Sequence, residues 1–365
     1  MKTKIRILSV ALSVLMLVAL ISACTQDPAP DAPAPPAAPA EAAPDPVEPA
    51  PDTAPDEAAS SDQPKRLAIL LCYKGDEYVL DQETAFIYYA AQKGWEVYVE
   101  DGNLDPNEQT RQIEDAITKK VDAIAIQAMD PEALIAPAEE AFAAGIPVFT
   151  FNAPINSETI ISHIGFDELG NGRNAALWAK EYVENELGGS ARIAILDLPI
   201  AVNTCVKRVA GFKEIMDTLP DVEYVAQQDG QADRSVCMSL AENMLTAHPE
   251  INMFFGINYE TAAGAAAAIE AAGRTDIVSI AGGWGREMFE VLEANDPILR
   301  AMWLQSGVAE AEATWNTMVD YFEGKTVDDI VYVIPQVPYV THENVGQIDY
   351  LVADRMKEEL KAMGN

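Results

Sequence analysis

From Lys65 onward the chain alternates between two textures, and that alternation is its strongest constraint. Short, continuous apolar runs, too uniform to leave one face in water, are separated by segments whose apolar residues recur at helical spacing. "RLAILLCY" is the first run, and "QETAFIYYAAQKGW" follows it with a terminal glycine, Gly94. Then come "EVYVED" (strand), "PNEQTRQIEDAITKK" (helix), "VDAIAIQ" (strand), "DPEALIAPAEEAFAAG" (helix) and "IPVFTFN" (strand). Strands and helices that alternate with short connections predict a parallel, doubly wound α/β sheet.

The pattern then starts again. "LGNGRNAALWAKEYVENELGG" reads as a helix and "RIAILDL" as a strand. "CVKRVAGFKEIMDTL", "VEYVAQQ", "ADRSVCMSLAENMLTAHP", "INMFFGIN", "YETAAGAAAAIEAAG" and "DIVSIAGG" continue the alternation, so two α/β units stand in series. "ILRAMWLQ" adds a strand and "AEAEATWNTMVDYFEG" a helix. "YVIPQVPYVTHENV" is extended, its prolines suited to edge or crossing segments.

The first residues read differently. Lys2, Lys4 and Arg6 precede an apolar run from Ile7 to Ile21 that ends in "LISAC". The run is short against the roughly 20 residues a membrane span needs and right for a signal peptide. Residues 1–23 are therefore expected to be a signal peptide. Ser22 and Ala23 before Cys24 resemble a bacterial lipobox, which makes Cys24 the expected lipid-bearing residue; the alternative is an ordinary signal peptide with a chance cysteine. The stretch to residue 64 holds about half of the chain's 23 prolines, with alanine and acids and no lysine or arginine. Such a composition cannot bury a core, and its prolines favour an extended spacer.

The formal charge is -34. It argues against a nucleic-acid partner, whose binders are usually basic. Cys72, Cys205 and Cys237 have no CxxC spacing, so one disulfide pair and free buried thiols both stay open. Three scattered histidines offer no metal-ligand spacing, and no cofactor is expected. No HExxH, GxSxG, P-loop or EF-hand loop is present. A dinucleotide enzyme would need GxGxxG after the first strand, where "CYKGDEYV" stands instead. No catalytic residue is expected.

The order of "AGIPVFTFN", "SHIGFDELGNGRNAA", "RVAGFKE", "LTAHPEINMFFGINYETAAGAAAAI" and "THENVGQIDY" resembles the sugar-type periplasmic binding proteins of ABC importers, the ribose- and galactose-binding group, over roughly 67–350. The resemblance implies the type I fold: two Rossmann-like lobes with parallel sheets, joined by a three-strand hinge, with the ligand in the cleft. Lobe one would comprise 65–166 and 306–334, and lobe two 167–305 and 335–365. It also implies a monomeric receptor that faces the periplasm or exterior, hands its ligand to an ABC permease and is held to the membrane by its lipid. A sensor that reports to a chemoreceptor or histidine kinase is the alternative.

Ligands of open α/β sheets sit outside the carboxyl ends of the strands. That places Tyr73, Asp76 and Tyr78 after the first strand, Gln127 and Asp130 after the third, and Asn152 after the fourth as candidates. The second lobe offers Asn203, Thr204, Gln231, Asp233, Asn258, Tyr259 and Trp284, and Gln305 ends the later crossing strand. Each has a plainer reading: Asn258 as a helix cap, Asp233 as an ion-pair partner of Arg234 at a helix start, Trp284 as a core tryptophan. Trp303 could face cleft or core. By resemblance, Tyr78 falls where the family has a stacking aromatic and Gln305 where it has a hinge glutamine. Asn152, Tyr259 and Trp284 fall where acids are common, and Val206 where an arginine is. Ionised groups bond hydroxyls more strongly than neutral ones. Their replacement points away from an ordinary pentose, toward a modified or deoxy sugar, a cyclitol, a nucleoside or purine, or an autoinducer-like furanose.

Overall fold

A computed structural model describes residues 64–75, 77–199 and 204–364. The signal-like segment, Cys24, the proline-rich spacer, Asp76 and Asn203 lie outside the described residues.

The first sheet is built from β1 (Arg66–Leu71), β2 (Glu96–Asp101), β3 (Ala123–Ile126), β4 (Val148–Phe151) and β5 (Ile160–Gly165), with α1 (Glu77–Lys93), α2 (Pro106–Lys119) and α3 (Ile135–Ala143) between them. After α4 (Glu168–Asn185) the second sheet forms from β6 (Ser190–Asp197), β7 (Asp221–Asp229), β8 (Met253–Gly256), β9 (Val278–Gly283) and β10 (Leu299–Leu304). Its intervening helices are α5 (Cys205–Met216), α6 (Arg234–Ala247), α7 (Tyr259–Ala271) and α8 (Arg286–Glu293). The chain then returns to the first sheet through α9 (Gly307–Phe322) and β11 (Ile330–Tyr332), and to the second through β12 (Val340–Thr341).

The strand orders are β11-β5-β4-β3-β1-β2 and β12-β10-β9-β8-β6-β7. The two orders match position by position, so the two α/β units read from the sequence are one plan used twice. They differ at the edge: β11 runs parallel to β5, whereas β12 is antiparallel to β10. Strand β5 has no clear alternation in sequence; its pairing with β4 and β11 makes it a strand.

Burial on both faces explains the apolar runs. In β1, Leu67, Ile69 and Leu71 enter a core shared with α1 and α9, while Ala68 and Leu70 enter another under α2 and α3. In β6, Ile193 and Ile195 pack toward α4 and α5, and Ala194 and Leu196 toward α6 and α7.

Three passes join the lobes, at residues 166–167, 305–306 and 333–339, and none of them is a strand, unlike the three-strand hinge expected. A fourth pass corrects the expected division. Val345 and Ile348 pack with α8, as expected for lobe two, but α10 (Val352–Met363) leaves that lobe. Its Ala353 and Met356 are buried in the first lobe's core beside α1. The cause is the apolar spacing Ala353, Met356, Leu360, which gives this otherwise charged helix one buried stripe.

Candidate functional site

A cavity of about 740 Å³ opens where the carboxyl ends of both sheets face each other. The first lobe lines it with Tyr73, Tyr78, Gln127, Met129, Asp130 and Asn152, and the second with Thr204, Cys205, Arg208, Asn258, Tyr259 and Trp284. Gln305, at the second crossing, lies on its floor. Its volume is within the roughly 300–1,000 Å³ usual for small-molecule sites.

Most of the candidates named from strand ends therefore meet in one place. Asp233 does not: it is the N-cap of α6, its carboxylate accepting from Val236 N at 2.9 Å, and it is absent from the cavity wall. Gln231 is exposed beside it and donates its N–H to Asp229. Asn258 lines the cavity and also caps α7, in a reciprocal capping box with Thr261. Trp303 is wholly buried in the second lobe's core. There it lies against β9: a Cβ at Gly282 would fall 1.5 Å from its Cε2, so only glycine fits. Cys205 and Cys237 are buried free thiols, and burial pushes both pKa values up.

Two polar networks support the floor. In one, Arg208 forks onto Glu168, with Nε to Oε2 at 2.6 Å and Nη2 to Oε1 at 2.8 Å. Its remaining donors reach Ile257 O at 3.0 Å and Gln305 Oε1 at 3.1 Å, and Gln305 Nε2 donates back to Glu168 at 3.2 Å. Arginine and glutamate are 7% and 5% exposed. Burial works against the arginine's charge, yet the Glu168 carboxylate holds its pKa above the ordinary value. Helices α4 and α5 can bring the pair together because Gly172 has no side chain; a Cβ there would sit 2.0 Å from Arg208 O.

In the other, Gln127 Nε2 donates to Asn152 Oδ1 at 3.0 Å, and Asn152 Nδ2 to the Tyr78 hydroxyl at 3.3 Å. Tyr78 and Gln82 both donate to Glu310 Oε2 at 2.5 Å. Burial pushes the Glu310 carboxyl up to about 8, so it is mainly protonated at neutral pH. Burial and the neighbouring Glu310 raise Tyr78 well above a normal phenol. Asn152 holds its place at the end of β4 with a left-handed φ of 58°, which asparagine tolerates better than most residues. Gln127 Oε1 is buried at the cavity wall with no hydrogen-bond partner.

The wall opposite is closed by contacts between lobes. Trp284 Nε1 donates to Asp81 Oδ2 of α1 at 2.8 Å. Glu77 Oε2, at the start of α1, accepts the backbone N–H of Arg286 at 2.6 Å, capping α8 from the other lobe. Other charges at the rim are largely matched: Arg234 bonds Glu260 at 2.8 Å and Glu287 at 2.7 Å, and Arg286 pairs with Asp354. The cavity wall thus carries acids and one internally neutralised arginine, with tyrosine, tryptophan and methionine surfaces between them.

Arg208, Glu168, Asp81, Gln82 and Glu310 were not visible as site residues in the sequence. Each lies on a helix and gains its role from a partner 40 to 232 residues away. The one available signal was charge or amide at a position the helical spacing buries. Among the described residues no cluster of histidine, cysteine, aspartate or glutamate could hold a metal ion, and no helix is long and apolar enough to cross a membrane.

Comparison with known proteins places this geometry. The model of the periplasmic binding protein domain matches residues 67–326. The ribose import binding protein of Bacillus subtilis (strain 168) is 30% identical over 189 residues, covering 52% of this chain and 60% of that protein's length. An ABC transporter solute-binding protein of Bacillus halodurans C-125, solved with bound myo-inositol, superposes with a TM-score of 0.71 at 23% identity, covering 79% of this chain and 98% of that one. The fructose-binding periplasmic domain of a hybrid two-component system superposes with a TM-score of 0.71 at 21% identity, covering 82% and 98%. At these identities the two solved structures show a shared fold.

Proposed function

Since this chain belongs to the periplasmic binding protein domain family, a solute-binding family and not an enzyme class, we propose that it is an extracytoplasmic receptor of an ABC importer. It takes a small sugar or sugar-like ligand between its lobes. The observation that carries the reading is the cavity of about 740 Å³ at the carboxyl ends of both sheets, lined from both lobes by aromatic and amide side chains. Ligand binding favours the closed arrangement by its greater affinity for it, the crossings acting as hinge.

The charge pattern bears on the ligand. Arg208 is neutralised by Glu168, and the other wall charges, Glu77, Asp130, Glu260 and Glu287, are acids. A phosphate or carboxylate would find no unpaired cation among the described wall residues, so the ligand carries no negative charge. The aromatic faces of Tyr78, Tyr259 and Trp284 suit an apolar ring face. A deoxy or modified sugar, a cyclitol or a nucleoside meets these terms.

The lipid at Cys24, the spacer and the permease are proposed with this reading and rest on the sequence: the "LISAC" junction and the proline-rich stretch that follows it. Lobe one is assigned 65–166, 306–334 and α10 (Val352–Met363), and lobe two 167–305 and 335–350. A second reading, a sensor that reports its bound state to a kinase, is favoured by the structural likeness to the periplasmic domain of a two-component system. Calorimetry against neutral sugars, cyclitols and nucleosides tests the receptor, with sugar phosphates and uronates as controls. Micromolar binding of one neutral member is expected. Silence across the panel, with no small molecule released on denaturing the purified protein, overturns it.

A further inference from the structure

The fourth pass of the chain reaches the cleft wall. Before it, the segment is fixed to lobe two: Tyr350 stacks on Phe289 of α8 at 4.5 Å, the ring planes nearly parallel at 3°, and its hydroxyl donates to Glu293 at 3.2 Å. After it, α10 is fixed to lobe one. Met356 is buried beside α1, and Tyr88 of α1 donates to Glu359 at 2.8 Å. Only Leu351 and Val352 separate Tyr350 from Ala353, the first residue of α10 buried in lobe one, and three extended residues span about 10 Å. There is almost no slack.

The same helix touches the wall through one relay. Lys357 Nζ lies 3.6 Å from Asp81 Oδ1, and Asp81 Oδ2 accepts the Trp284 indole N–H at 2.8 Å. Asp354 adds a second tie, pairing with Arg286 at the start of α8. Every tie joins α10 or α1 of lobe one to the 284–286 turn of lobe two.

We propose that Val345–Met363 is a fourth hinge element that limits opening along the α1–α8 edge, and that Lys357 is a positioning residue for Trp284, acting through Asp81. The cleft then opens by rotation about this edge, because lobes that parted here would have to strip α10 from α1 or Tyr350 from Phe289. The inference rests on the reading of the cleft as a site that opens and closes, but not on which ligand fills it.

The test therefore uses ligand-free protein. Spin labels at exposed positions of the two lobes (Glu114→Cys and Ser235→Cys) report their separation in the full chain. Four backgrounds are compared: wild type, Met356→Leu, Met356→Glu, and a chain ended after Leu351. Loss of α10 is expected to lengthen and broaden the distance distribution, and Met356→Leu to preserve it. The Lys357→Met variant keeps the fold and serves if the truncated chain does not fold. Its readout is the Trp284 indole N–H resonance, identified by its absence in Trp284→Phe. Asp81 faces Trp284, Lys357, Glu77 and Asp354, so removing the one cation among them should move the pH midpoint of that resonance upward. An unchanged distance distribution after α10 is released, seen as fast amide exchange over 352–363, overturns the hinge element. An unmoved midpoint in Lys357→Met overturns the positioning role.

Discussion

Trp284 and Asp81, 203 residues apart and on opposite lobes, are joined by a 2.8 Å hydrogen bond from the indole Nε1 to the carboxylate. The indole is at once a wall of the cleft and a contact between lobes; its ring also meets Phe289 edge-on at 5.1 Å. Trp284→Phe keeps the ring contact and leaves Asp81 Oδ2 without its donor, Lys357 remaining beside Oδ1. A loss of about 1–3 kcal/mol is expected in urea unfolding, the cost of an unsatisfied buried acceptor. Trp284→Ala should weaken ligand binding more than tenfold by calorimetry; unchanged affinity would return the residue to a purely structural role.

Stability should fall as pH rises across the neutral range. Burial lifts Asp81 from 3.8 to about 6 and Glu310 from 4.5 to about 8. The folded protein therefore keeps protons that the unfolded chain releases, and the stability these two carboxyls contribute below pH 4 is lost progressively up to about pH 8, opposed below about pH 6.5 by His163, which burial lowers from 6.5 to about 4. Glu310→Gln removes the upper part of that slope. Its urea midpoint should gain on the wild type between pH 5 and 8.5; parallel curves for the two proteins would refute the assignment.

The Arg208–Glu168 fork should be costly to break singly and cheap to remove whole. Arg208→Met leaves a buried carboxylate without its cation, and about 3–5 kcal/mol is expected to be lost. Adding Glu168→Leu should restore at least half of that. A double variant no better than the single one would mean the pair contributes more than mutual compensation.

Gln127→Leu separates binding from folding. The substitution gives up one hydrogen bond to Asn152, about 1 kcal/mol, and the free amide oxygen. Ligand affinity should drop about tenfold while the unfolding midpoint moves little. Equal affinity would show that the orphaned oxygen has no partner in the complex either.

How far the sequence can be read follows from range. The central strands of both sheets, though not β5, were legible because burial on two faces makes runs such as Leu67–Leu71 uniformly apolar, and their carboxyl ends led to Tyr78, Gln127, Asn152, Tyr259 and Trp284. Those positions depend on topology, which local pattern determines. Arg208, Glu310 and Asp81 depend on which helix faces meet across the fold, and no local pattern encodes a partner so far away. Asp233 failed for the reverse reason: a residue at a strand-to-helix turn can serve the helix it starts. The C-terminal segment was assigned to lobe two without a helix being read in it, and the stripe of Ala353, Met356 and Leu360 does not say which lobe it will cover.

The close fit of Trp303 over Gly282 has a consequence for variation. Gly282→Ala would drive a methyl into the indole, so severe destabilisation is expected, relieved in part by Trp303→Leu. The two positions are thus one inherited unit. A descendant chain can acquire a side chain at 282 only after, or together with, a smaller residue at 303, and the order in which those changes arrive is restricted by sterics alone.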